Sequence, residues 1–292
     1  DYSNPISDIN YDGRFNLRIR RPGSGEGRTL LFNAHTDVVP PSEGMQAPWV
    51  PRIDDDMLYA RGACDDKGPL ASVYLTFKVL DALDVHLAGD VLVHLVVEEE
   101  NGGNGSLAMT RAGERADGCI VLEPTDGKVF TSVRGAVWFR IVFRGTAGHS
   151  GQAGKTRSAL LLARDAMVAL ERYHADLLAG SRGIPLFDPY PNPMPLTFGR
   201  IEAGNWPSAA PNRAVLEGVL GFLPNKTKEE VCTEIEQALI AGNTGLASGD
   251  FDLSFTYRHD CSVVDVDHPL PQGLVAAGEA VGAPATIDAM TA

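Results

Sequence analysis

The sequence predicts an α/β fold: a mostly parallel sheet covered by helices, with a smaller α+β ferredoxin-like layer inserted into it. Three observations carry that expectation. Short apolar runs alternate with segments of helical period through the first part of the chain, the middle switches to a βαβ, βαβ order, and the last segment returns to a helix followed by a strand. The boundaries that follow are a first domain over 1–131, an inserted domain over 132–257 and a resumption of the first over 258–292, whose C-terminal end reads as missing.

The elements follow in order. Apolar runs at 15–19, 30–34, 91–97 and 119–122 are of strand length, and the segment 69–83 between them has helical period. That alternation is the pattern of parallel strands joined by covering helices. In the middle, AVWFRIVFR at 136–144 reads as a strand and 158–178 as a long amphipathic helix, after which the proline-rich IPLFDPYPNPMP loops to a strand at 196–201. Strands at 214–223 and 251–257 then flank a helix at 226–241, which completes the split βαβ pattern. A helix over 270–281 and a strand near 285 close the chain, and no internal repeat is found.

Composition narrows the function. The 292 residues are 44% apolar, ample for a core, and the formal charge of -13 disfavours nucleic acid and anionic lipid as partners. No apolar run reaches the roughly 20 residues of a membrane span, and the opening DYSNPISDIN lacks the features of a secretory signal. Cys64, Cys119, Cys232 and Cys261 are scattered, without the spacing of a metal or disulfide framework. The expectation is a soluble protein of a reducing cytoplasm.

Acidic residues and one histidine gather where the predicted strands end, the edge at which open α/β sheets bind ligands. His35 and Asp37 in LLFNAHTDVVP are two residues apart, a spacing that puts both side chains on one side of an extended chain. The carboxylate could then orient the imidazole; alone, the pair also reads as a strand-end His beside a turn-forming Asp. Asp65 lies in ARGACDDKGPLA just before the helix opened by Gly68 and Pro69, where it could equally be an acidic cap. Glu98, Glu99 and Glu100 follow DVLVHLVV and crowd one strand end, a repulsive arrangement unless a cation compensates it or water screens it. Glu123 ends GCIVLEPT, where Pro124 enforces extended geometry. One imidazole with several carboxylates suits zinc, manganese or cobalt.

The stretches HTDVVP, YARGACDDKG, VEEENGGNG, LEPT, FRGTAGHSG and NWPSAAPNRAVLEGVLGFLP, in this order, resemble the zinc aminoacylases and carboxypeptidases that include acetylornithine deacetylase, succinyl-diaminopimelate desuccinylase and glutamate carboxypeptidase. The resemblance runs from near residue 13 to near residue 290. It implies a site of two divalent ions, zinc by expectation, with His35 and Glu123 on one ion, Glu100 on the other and Asp65 bridging them. It further implies Asp37 as the orienter of His35, Glu99 as general base and His149, on a lid/dimerisation domain, as an oxyanion donor. The implied reaction is hydrolysis of the amide bond of a small N-acyl amino acid or a short peptide, in a homodimer formed through the inserted domain.

The match departs from the family in two places. The family's second metal-binding His, near the C-terminus, has no counterpart among His86, His94, His174, His259 and His268, which leaves the second ion an imidazole short. An Arg that reads a substrate carboxylate is also absent at Gly221, with Arg134, Asn212 and Arg213 as candidate replacements. A carboxypeptidase or dipeptidase is the near alternative, and a catalytically silent binding or assembly protein the alternative of another class. Cys64 reads as a small buried residue, His94 as a satisfied core histidine and Trp206 as a loop anchor.

Overall fold

In the computed structural model, which describes residues 11–152, 154–241 and 246–291, the chain divides into two units between Gly127 and Lys128. The first runs β1 (Leu17–Arg21), β2 (Leu30–His35), β3 (Arg52–Asp54), β4 (Met57–Tyr59), α1 (Gly68–Ala82), β5 (Val91–Val96), α2 (Asn104–Arg111) and β6 (Gly118–Val121). Its main sheet has the order β1-β5-β2-β6, with β2 parallel to β5 and β6 while β1 is antiparallel to β5. The run VLVHLV of β5 is central and almost wholly buried, as expected of a strand covered on both faces. His94 within it is 3% exposed and faces Glu114, a satisfied core histidine as expected.

Register brings the acidic motifs together. His35 pairs with Val96 and Asn33 with Val121, so 35–37, 97–100 and 122–123 leave the sheet at one edge. Gly105 at the start of α2 holds the middle segment close: its N–H donates to the Val97 carbonyl at 3.0 Å, and Asn16 bridges the Val97 N–H and the Gly105 carbonyl.

The second unit contains β7 (Val129–Val133), β8 (Gly135–Arg144), β9 (Gly148–His149), α3 (Ala159–Gly180), β10 (Leu196–Ala203), β11 (Ala209–Ala210), β12 (Arg213–Phe222), α4 (Lys228–Ala241), β13 (Phe251–His259), β14 (Ser262–Val263), α5 (Pro269–Ala280) and β15 (Ile287–Met290). Two βαβ segments build an antiparallel sheet in the order β10-β12-β8-β13, and α3 and α4 pack on it. Alternation along β8 points Val137, Phe139, Ile141 and Phe143 to the helices, which return Leu162, Ala166 and Leu170 from α3 and Val231, Ile235 and Leu239 from α4. A separate sheet sets β15 parallel to β7 and β14 antiparallel to it. No described helix is long and apolar enough to cross a membrane.

The sequence placed the larger elements within a few residues but missed the small ones, among them the β3–β4 hairpin, α2 and β7. The β3–β4 hairpin turns at Asp55 and Asp56, both at positive φ, as a two-residue loop requires. Helix α2, NGSLAMTR, is too short and too poor in apolar residues to be read in advance, and strand β7 is too short.

The close approach at Gly105 is testable. A Cβ there would lie 2.2 Å from the Val97 carbonyl oxygen, whereas one at Gly180 meets open space. Gly105→Ala should cost about 1–3 kcal/mol in urea denaturation and Gly180→Ala nothing or a slight gain; equal midpoints would show that α2 does not pack this tightly.

Candidate metal centre

The site is built on the end of β2. His35 is 1% exposed, and its two ring nitrogens have separate partners. Nδ1 lies 3.0 Å from the Asp37 carbonyl and 3.5 Å from its carboxylate, so it carries the proton. Nε2 lies 2.8 Å from Asp65 Oδ1. With Nδ1 protonated, a neutral ring and a carboxylate would both present lone pairs across that 2.8 Å contact, so a cation, proton or metal, has to lie between them.

Asp37 is fixed in turn. Its two carboxylate oxygens accept the backbone N–H groups of Glu99 and Glu100, each at 3.2 Å. Burial opposes its ionisation, but His35 and these amides outweigh that and hold its pKa below the ordinary carboxylate value. One aspartate thus ties the β2 end to the turn after β5. That turn is made by Glu98, at φ 64 in the left-handed region, and by Gly102 and Gly103, whose N–H groups donate to the Glu98 and Glu99 carbonyls.

The structure brings His35, Asp65 and Glu123 together: one ligand atom from each lies within 4.8 Å of the others. Glu100 does not join that group among the described residues, and Glu99 and Glu100 are known to the site through their charges. Glu98 separates from its neighbours: wholly buried, it pairs with Arg14. His149 stands on β9 in the second unit, exposed, with Nδ1 accepting the Gly151 N–H at 3.1 Å, so the neutral ring must carry its proton on Nε2.

Repulsion among the acids shows in their proton affinities. Burial, then the charges of Glu99 and Asp66, pushes Glu123 up to about 8. Burial also raises Glu99, against the pull of His35, and it raises Glu100 together with Asp65. For His35 burial works against the charged form, yet Asp37 and Asp65 prevail and push it up to about 10. A buried cluster that holds protons this tightly is short of positive charge. The donor set, one imidazole nitrogen and carboxylate oxygens, fits zinc, manganese or cobalt.

One residue the sequence reading passed over belongs here. Asp66 is wholly buried, its Oδ2 accepts the His35 backbone N–H at 3.0 Å, and burial pushes its carboxyl up to about 6. The doublet DD was the only signal, and Asp65 absorbed it. One blander reading needs correction: Cys64 is exposed rather than buried, whereas Trp206, 68% exposed, donates its indole N–H to Ser208 of its own loop. Of the candidate replacements at Gly221, Arg213 and Asn212 are exposed, while Arg134 donates to the Thr291 carbonyl and places Nη1 3.1 Å from where a Gly221 Cβ would be.

Comparison with known proteins gives consistent results. A family profile described as Peptidase family M20/M25/M40 matches residues 31–291. A succinyl-diaminopimelate desuccinylase of Methylibium petroleiphilum is 37% identical over 144 residues, a match covering 45% of this chain and 37% of that protein. The chain therefore spans well under half of that curated relative. Among solved structures, the aminopeptidase PepT from Bacillus cereus superposes with a TM-score of 0.70 at 21% identity, covering 97% of this chain and 74% of its own. The metallo-carboxypeptidase Sso-CP2 from Sulfolobus solfataricus gives 0.71 at 18% identity, covering 94% and 75%.

The proton affinities make a prediction. Metal ligands must be deprotonated, so at pH 7 uptake of zinc on His35 and Glu123 should release about two protons per ion, falling toward about one near pH 9. Calorimetry in buffers of differing ionisation enthalpy measures this, and release of none would show that the ion does not displace these protons. The metal-free fold carries the matching sign. The contribution of His35 is complete below its ordinary 6.5 and is lost as the pH passes about 10. Glu123, raised from 4.5 to about 8, loses stability across that window. The metal-free melting temperature should therefore fall between pH 6 and 9.

Proposed function

We propose that this chain, which belongs to Peptidase family M20/M25/M40, is a metal-dependent amidohydrolase that cleaves the N-acyl amide bond of a small N-acyl amino acid. The observation that carries the reading is the convergence of His35, Asp65 and Glu123 beside the half-buried Glu99 at one edge of a parallel sheet. The desuccinylase relative, itself named for removal of an N-succinyl group, supports an acylated amino acid as the substrate class.

In this reading His35, Asp65 and Glu123 would hold one divalent ion, most simply zinc, and Glu100 together with Asp65 would hold a second. When bound, such ions would supply Lewis acidity at this edge of the sheet. Asp37 keeps the His35 proton on Nδ1 so that Nε2 remains free to bind. Glu99 takes the proton of the attacking water and returns it to the leaving amine, and burial, by raising its pKa above the ordinary carboxylate value, makes it a stronger base for that exchange. His149 donates its Nε2–H to the developing oxyanion, the tautomer that the Gly151 N–H enforces.

Two variants separate the roles. Glu99→Ala should keep its metal and lose several orders of magnitude in turnover, because the base is not a ligand; Glu100→Ala should lose metal. Loss of an ion from Glu99→Ala with retention in Glu100→Ala would exchange the two assignments. A hydrolysis screen with zinc, manganese and cobalt over N-acetyl and N-succinyl amino acids and dipeptides tests the substrate class. Turnover confined to dipeptides would replace the deacylase reading with a dipeptidase.

Residues 132–257 are proposed as an inserted lid that also forms a two-fold homodimer. Its four-stranded sheet ends in β10 and β13, edges able to pair with a second copy. Light scattering at micromolar concentration should give twice the chain mass, and a monomer would overturn this arrangement.

A further inference from the structure

We propose that Asp66 is a positioning residue for the metal centre: its buried carboxylate ends the sheet beside β2 and so fixes the backbone from which the His35 imidazole projects. The inference rests on the reading of His35 as a metal ligand. Its geometry comes from the ladder around the β2 end. On the β5 side the Thr36 N–H donates to the Val96 carbonyl at 2.9 Å. On the β6 side the Leu122 N–H donates to the Asn33 carbonyl at 2.8 Å. Backbone groups of successive strand residues alternate between the two sides, so the His35 N–H points to the β6 side. There β6 has already ended, at Val121. A buried N–H without an acceptor carries a desolvation penalty, and the strand end would be free to move.

Asp66 supplies the acceptor. Its Oδ2 takes the His35 N–H at 3.0 Å, from a side chain with no exposed surface. The next residue adds a second hold, Lys67 Nζ donating to the Thr36 carbonyl at 3.2 Å. The turn 63–67 thus grips two peptide units at the end of β2, those of 34–35 and 36–37, and presents Asp65 to the same imidazole. Gly62 lets the turn come this close, since at φ 78 it would, with a Cβ, lie 2.4 Å from Val38. The contact is to the main chain, so Asp66 acts through His35 and needs no bond to the ion. An isosteric amide can accept the same N–H; a methyl cannot.

The experiment compares zinc binding, by competition with a chromophoric chelator, in the unaltered chain and in Asp66→Asn, Asp66→Ala and His35→Ala, alongside melting of each metal-free protein. Asp66→Asn should bind zinc within about threefold of the unaltered chain. Asp66→Ala should weaken it by about 10–100-fold, the range for residues that orient ligands, with metal-free melting affected alike in the two Asp66 variants or less than binding. Unchanged zinc binding in Asp66→Ala would overturn the inference. So would a loss of tenfold or more in Asp66→Asn, which would assign the effect to charge rather than to the held backbone; this arm decides the matter even if Asp66→Ala does not fold. His35→Ala keeps the two readings apart. If it binds zinc as well as the unaltered chain, the metal centre itself is wrong; if it loses zinc while Asp66→Ala does not, only the role of Asp66 fails.

Discussion

The structure of the first unit turns on a charge imbalance: one buried imidazole, His35, faces Asp37, Asp65, Asp66, Glu99, Glu100 and Glu123 with no other cation of comparable burial beside them among the described residues. Carboxylates brought together out of water repel, and each can stay only by binding a proton, meeting an amide or sharing a cation. All three solutions are visible. Glu123 is driven toward its protonated form, Asp37 is satisfied by the Glu99 and Glu100 amides, and His35 is driven toward its charged form. A divalent ion would answer the remainder in one step, which is why the cluster is read as a metal centre rather than an acidic surface.

The sheet is what makes such a cluster possible. Parallel strands end at the same edge, so segments far apart in sequence present side chains together without a long loop. Asp37 then couples two of those segments, and Gly105 with Asn16 presses the second against the sheet. Glu98 shows the same economy, for in the left-handed region it turns the chain and its own carboxylate goes to Arg14, leaving Glu99 and Glu100 to the site. The carboxylates are therefore placed by backbone constraints and not by attraction to one another.

This explains what could be read from sequence. The long strands and helices have enough periodic apolar residues to declare themselves, and the site motifs are contiguous, so His35, Asp37, Asp65 and the glutamates could be named with their segments. Asp66 could not, because its role is set by where β6 stops, a property of pairing between residues 88 positions apart. Cys64 was misjudged for a related reason: which side chains of the turn at 63–67 are covered is set by its contact with the end of β2, where Asp66 is buried against the His35 backbone while the Cys64 thiol faces out. Helix α2 was missed because packing against Val97, rather than helix propensity, holds it in place.

The same limit governs what a missing residue means. An arginine absent at position 221 reads, in sequence, as the loss of a cation. In the fold Gly221 pairs with Ala136 on the adjoining strand, and the guanidinium of Arg134 reaches the space a side chain at 221 would fill. Burial holds its pKa below the ordinary guanidinium value, and its ties are to main-chain carbonyls, Thr291 through Nε and Gly135 through Nη1, with no carboxylate paired to it among the described residues. A positive group can thus be kept at one place in a fold while moving along the sequence, because neighbouring strands share the space between them. A motif search sees only the vacated position, so the missing Gly221 side chain is no argument that the second unit has lost its cation.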